Sequence, residues 1–157
     1  DIMTALRIAD EFGVKIVIEH ATEGHKVAAE LARRNVPTVV GPILSSRSKY
    51  ELRERNLATP RLLFEAGVKV ALMTDHPVIP AQFLPVCAGL AVREGLPEEE
   101  ALRTITLTAA EILGLDHRLG SLDPGKDADL VVWSGHPLEI RSQPDLVLSD
   151  GQVLLKR

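Results

Sequence analysis

Helices and strands alternate through most of this sequence and give way to closely spaced strands at its end, which predicts an α/β unit with a parallel sheet followed by a small all-β tail. Two apolar runs and one turn carry that expectation. Val14-Lys15-Ile16-Val17-Ile18 is β-branched and almost continuously hydrophobic, as a strand covered on both faces is, and residues 68–73 are similar. Ser149-Asp150-Gly151-Gln152 separates two short apolar runs, and Asp-Gly in that setting is a hairpin signal. Strands separated by helices pair in parallel through right-handed crossovers.

The elements follow in order. Residues 3–11 place Met3, Leu6 and Ile8 on a helical spacing and stop at Gly13, ahead of the strand at 14–18. Thr22 is the expected N-cap of a helix whose apolar face is Val27, Ala28, Leu31 and Ala32, ending at Arg33-Arg34-Asn35 before Pro37. Thr38-Val39-Val40 is a second strand, from which a long polar loop opens over 41–59. A third unit starts at Pro60: Leu62, Leu63 and Ala66 form a brief helix, Gly67 stops it, and 68–73 is the third strand. Helices are expected at about 81–94, 97–105 and 108–114, the last opened by the capping box Thr108-Ala109-Ala110-Glu111. The final strands are expected within 128–133, 146–148 and 153–155.

Composition narrows the function classes. The 157 residues are 45% hydrophobic and 25% charged, the balance of a packed globule. Eighteen basic residues face 22 acidic ones, for a net charge of -4, with no basic block; nucleic acid is not an expected partner. No apolar run approaches the roughly 18 residues a membrane helix needs, and Asp1-Ile2-Met3-Thr4 has no signal-peptide pattern, so a cytoplasmic protein without a membrane partner is expected. The single cysteine, Cys87, falls in an apolar helix and reads as a packed thiol. Neither Gly-x-Gly-x-x-Gly nor a Gly-Lys-Ser/Thr loop occurs, which leaves dinucleotide binding unsupported.

A weak repeat points to the chemistry. Glu11-Phe12-Gly13-Val14-Lys15-Ile16-Val17 echoes Glu65-Ala66-Gly67-Val68-Lys69-Val70-Ala71, and each copy runs into an acid followed by histidine, Glu19-His20 and Asp75-His76. Carboxyl ends of parallel strands face the binding crevice, and in a (β/α)8 barrel they line its mouth. One strand separates those of His20 and Asp75, so in a barrel the two side chains would belong to the same layer. A neutral imidazole converging with a carboxylate makes a transition-metal site. The same residues also suit blander roles, a histidine bonded to a loop carbonyl and an aspartate shaping a turn. His25 falls in the first turn of the next helix, facing the mouth or solvent; His76 is similar, while His117 and His136 read as surface residues.

Three segments resemble the amidohydrolase superfamily, closest to its imidazolonepropionase-like branch: Val70-Ala-Leu-Met-Thr-Asp75-His-Pro; Glu98-Glu-Glu-Ala-Leu-Arg-Thr-Ile-Thr-Leu-Thr-Ala-Ala-Glu-Ile-Leu-Gly114-Leu; and Gly120-Ser-Leu-Asp-Pro-Gly-Lys-Asp-Ala-Asp-Leu-Val-Val-Trp133. That resemblance implies a partial (β/α)8 TIM barrel, its last three β/α units, over residues 1–117, and a small β-sandwich segment over 118–157. It implies hydrolysis of an amide or cyclic amide C–N bond in a small substrate, with a divalent metal, zinc first and iron or manganese as alternatives. Asp75 matches the eighth-strand aspartate that binds metal and takes a proton from the attacking water. His20 matches the sixth-strand histidine that ligates metal or polarises the carbonyl. The loop after the second strand offers Arg47 and Ser45 as substrate contacts, beside His25 and His76.

The family's His-x-His, its fifth-strand histidine and its fourth-strand bridging residue have no counterpart here, which is expected of a C-terminal portion of a longer enzyme. Such a portion is expected to associate with copies of itself or with the remaining portion, because three parallel strands leave two unpaired edges. Alternative readings are an Xaa-Pro-type dipeptidase or a deaminase of the same superfamily, and a non-catalytic α/β module.

Overall fold

Three short strands, β1 (Ile18–His20), β2 (Thr38–Val40) and β3 (Val70–Leu72), form a parallel sheet in that order, with Ile18 opposite Thr38 and Thr38 opposite Val70. The computed structural model describes residues 1–157. α1 (Ile2–Phe12) precedes β1, and α2 (Ala28–Arg33) and α3 (Thr59–Glu65) run between the strands. After β3 come α4 (Leu84–Arg93), α5 (Glu98–Thr104) and α6 (Leu107–Leu113), and all three pack against β3. The core is aliphatic, as the scarcity of aromatics requires: Leu6, Leu31, Leu63, Ala88 and Ala101 are essentially fully buried. Cys87 is buried among them, and burial pushes its thiol pKa up, so it is the packed thiol expected.

Burial differs sharply between the two ends of the sheet. Val70, Ala71 and Leu72 are all buried, whereas Glu19 and His20 in β1 are exposed. The run 14–18 therefore departs from its expected place as a doubly covered strand: pairing starts at Ile18, whose N–H donates to the Pro37 carbonyl at 3.1 Å, and Val14 and Val17 stay 52% and 39% exposed. The physical reason is the short partner. β2 begins at Thr38, no strand lies beyond β1, and the apolar residues before Ile18 have nothing to pair with.

Two expected caps also differ. Thr22 does not cap a helix; a 3-10 turn over Gly24–Val27 follows Glu23, and α2 starts only at Ala28. Thr108 lies inside α6, whose cap position is Thr106, so the Thr108–Glu111 capping box is not formed. Glu111 instead pairs with Lys69 at 2.7 Å, tying α6 to the start of β3.

The tail is an antiparallel sheet of β4 (Leu130–Trp133), β5 (Pro144–Ser149) and β6 (Gln152–Lys156) in that order. Asp150 and Gly151 turn β5 into β6 with φ of 49° and 74°, the positive values a two-residue hairpin turn needs. The tail docks on the helices through Leu138, which packs against the core, and through Gly120, where a Cβ would come within 2.7 Å of Leu107 Cα. No residue of β4, β5 or β6 is buried. No helix is long and apolar enough to cross a membrane.

Candidate active site

The carboxyl ends of the three strands converge on Gly41. Register puts His20, Val40 and Leu72 level across the sheet, and Asp75 follows three residues beyond Leu72. Gly41 donates its N–H to the His20 carbonyl at 3.3 Å, while its own carbonyl accepts from His20 Nδ1 at 3.0 Å. On its other side a Cβ would overlap the Met73 carbonyl oxygen, so only glycine, at φ 154°, lets the ends of β2 and β3 approach this closely.

Both predicted ligands leave regular strand geometry at this point. His20 and Asp75 have φ of 63° and 55°, a left-handed conformation that costs a non-glycine residue about 1–3 kcal/mol and recurs where function holds a side chain in place. The turns after β2 and β3 each carry a cis proline, at Gly41–Pro42 and His76–Pro77.

His20 and Asp75 line one cavity of about 460 Å³, with the loop after β2 as its far wall. A carbonyl can only accept, so His20 Nδ1 carries a proton, and in the neutral imidazole Nε2 is the nitrogen with the lone pair. Ligating histidines are commonly oriented this way, with one ring nitrogen donating to a backbone carbonyl and the other left for the metal. The Asp75 carboxylate makes no hydrogen bond and no ion pair. One imidazole nitrogen and one free carboxylate are donors that suit zinc, iron or manganese, so the pair fits a divalent transition metal. No cluster of three His, Cys, Asp or Glu side chains able to hold an ion occurs in the chain.

The remaining candidates are distributed unequally. Ser45 lines the cavity, donating from Oγ to the Pro42 carbonyl at 3.1 Å and accepting from Arg55 Nη1 at 2.6 Å. Arg47 does not line it; its Nη2 donates to the Arg55 carbonyl at 2.8 Å from an exposed position. His25 bonds Thr59 Oγ1 at 2.9 Å and faces a neighbouring cavity, and His76 is exposed and outside both. Arg55, in the loop, and Thr59, the first residue of α3, line the site although the sequence singled out neither, since loop and helix-end residues carry no periodic signal. Burial of His25, and secondarily Lys26, lowers its pKa from the ordinary 6.5.

The chain is thus a parallel α/β unit with histidine and aspartate at alternate strand ends, one cavity lined by both, and an antiparallel tail. Residues 3–155 match the amidohydrolase family, and the chain belongs to it. It is 31% identical over 144 residues to amidohydrolase tasK of Hapsidospora irregularis, a match covering 90% of this chain and 15% of that protein. It is 38% identical over 99 residues to the imidazolonepropionase of Geobacillus kaustophilus (strain HTA426), covering 61% of this chain and 23% of that protein, in keeping with the branch its motifs resemble. The crystal structure of an amidohydrolase from Thermotoga maritima MSB8 superposes with a TM-score of 0.96 at 50% identity, over 99% of this chain and 41% of that one. The chain thus spans less than half the length of each of these proteins.

Proposed function

We propose that this chain contributes the last three β/α units of a (β/α)8 barrel, over residues 1–117, and part of a β-sandwich, over 118–157, to a metal-dependent amidohydrolase acting on an amide or cyclic amide C–N bond of a small substrate. The observation that carries this reading is the orientation of His20: Nδ1 is engaged by Gly41, Nε2 is free, and the unengaged Asp75 carboxylate lines the same cavity.

His20 and Asp75 would hold the ion, zinc first, with iron or manganese as alternatives. When bound, a divalent ion lowers the pKa of water to near neutrality and polarises a carbonyl. Asp75 has no competing partner, so its carboxylate is free to take the proton of an attacking water as the oxygen bonds to the carbonyl carbon, and to hand that proton to the leaving nitrogen as the C–N bond breaks. The Gly41 carbonyl holds the imidazole of His20 with Nδ1 protonated, so the neutral ring would ligate through the lone pair of Nε2, and donation to the carbonyl oxygen would need a second proton, on Nε2. Catalytic zinc sites usually use three protein ligands, so the site is proposed to be completed from another portion of the enzyme or from a second copy.

A hydrolysis panel tests the reading. Cyclic amides and N-acyl compounds are expected to be opened by the intact enzyme, with Asp75→Asn lowering kcat by about a hundredfold or more. Preference for Xaa-Pro peptides, or release of ammonia from an aromatic amine, would move the assignment to a dipeptidase or a deaminase. No turnover of any class by the metal-loaded enzyme would favour a non-catalytic module.

A further inference from the structure

The wall facing His20 and Asp75 carries an arginine with no acid partner. Arg55 is half-buried, lines both this cavity and the neighbouring one that holds His25, and forms no ion pair although most arginines of this chain do. Its Nη1 is held by Ser45 Oγ at 2.6 Å, and Ser45 is fixed in turn by donating to the Pro42 carbonyl, one residue beyond Gly41. Its backbone is fixed as well, because Arg47 Nη2 donates to the Arg55 carbonyl at 2.8 Å. A second guanidinium nearby raises the local positive potential instead of neutralising it, and burial together with Arg47 pushes the Arg55 pKa below its ordinary value. Of the carboxylates on the cavity, Glu51 is exposed on the 3-10 turn Tyr50–Leu52 and Asp75 sits at the opposite strand end; neither pairs with Arg55. A buried or part-buried cation without a counter-ion is costly, and the cost is recovered when an anion arrives. The guanidinium fork, with N–H groups remaining beyond the one Ser45 takes, matches a carboxylate bidentately.

We infer that Arg55, positioned by Ser45, binds a carboxylate of the substrate, so that the enzyme acts on small acids whose C–N bond lies between Arg55 and the His20–Asp75 pair. This rests on the reading of the cavity as a hydrolase active site and narrows it from amides in general to amides that carry an anionic group. Arg55 is then a specificity residue, touching a part of the substrate remote from the bond that breaks, and Ser45 is a positioning residue acting through it.

Equilibrium titration of the full chain with N-benzoylglycine and with its neutral carboxamide provides the test. The acid is expected to bind more tightly than the amide, and Arg55→Met to weaken the acid by about tenfold or more while leaving the amide unchanged. Arg55→Lys, which keeps the charge and loses the fork, is expected to fall between the two, and it serves where Arg55→Met fails to fold. Equal binding of acid and amide, binding of neither, or an acid affinity that Arg55→Met and Arg55→Lys leave unchanged overturns the assignment. Metal retention by the same protein is measured alongside. Retained metal with no acid preference rejects the Arg55 subsite alone, and an Arg55-dependent acid preference in an assembled enzyme that holds no metal rejects the hydrolase reading alone.

Discussion

Gly41 links three facts about the site: it orients the His20 ring, it starts the turn that places Ser45, and it allows β2 and β3 to touch. Gly41→Ala is therefore expected to destabilise the chain by about 3 kcal/mol or more, read from urea unfolding, because the new methyl meets the Met73 carbonyl. His25 gives a pH-dependent counterpart. Its pKa is lowered in the fold, first by burial and then by Lys26, with Glu23 and Glu54 opposing, so the unfolded chain binds the proton more readily. Stability from this group is full above 6.5 and is lost as pH falls through 6.5 toward the lowered folded value. Unfolding midpoints at pH 7.5 and pH 5.5 are expected to differ more in the wild type than in His25→Gln, and an equal difference would remove His25 from this role. That His20 and Asp75 lie at strand ends on one cavity was legible from sequence, because each follows an apolar run at the point where a strand must end. Arg55 was not, since nothing in a polar loop distinguishes a guanidinium that turns inward from Arg47, which stays outside.

Among the elements, helices were read more accurately than strand limits. The gap between expectation and structure is clearest at β1, where hydrophobicity marks 14–18 while hydrogen bonding occurs at Ile18–His20. Composition reports which residues avoid water, whereas pairing depends on where the neighbouring strand begins, and that information lies some twenty residues away at Thr38. The hairpin was placed correctly because its turn needs positive φ at two adjacent positions, a local demand that Asp150-Gly151 meets. α3 supplies a direct test of packing. Leu63 is fully buried on α3, which packs against β3 and the 3-10 turn Gly24–Val27, so Leu63→Ala is expected to cost about 2–5 kcal/mol, while the exposed Phe12→Ala is expected to stay within about 0.5 kcal/mol. Similar losses for the two would mean that the core is not organised around α3.

At the scale of the whole molecule, both edges of the parallel sheet are unpaired, and large apolar residues of the tail, Val153 at 57% and Leu154 at 68% among them, are exposed. Open edges and an uncovered sheet favour association. Size-exclusion chromatography is expected to show the isolated chain self-associating, or joining a complementary portion of the enzyme when that is supplied; a compact, stable monomer under all conditions would contradict this. The alternation of strands and helices made the parallel arrangement readable and the repeated acid-histidine ends pointed to two residues that line one cavity, but no cluster of three ligating side chains occurs along this chain. Metal content tests the centre of the proposal most directly. Plasma mass spectrometry of protein prepared without chelators, alone and within the assembled enzyme, should find zinc, iron or manganese near one equivalent per site in the assembled form, falling to background in Asp75→Asn. An assembled enzyme that carries no metal, or an Asp75→Asn variant that retains it in full, would contradict the role assigned to Asp75 and His20.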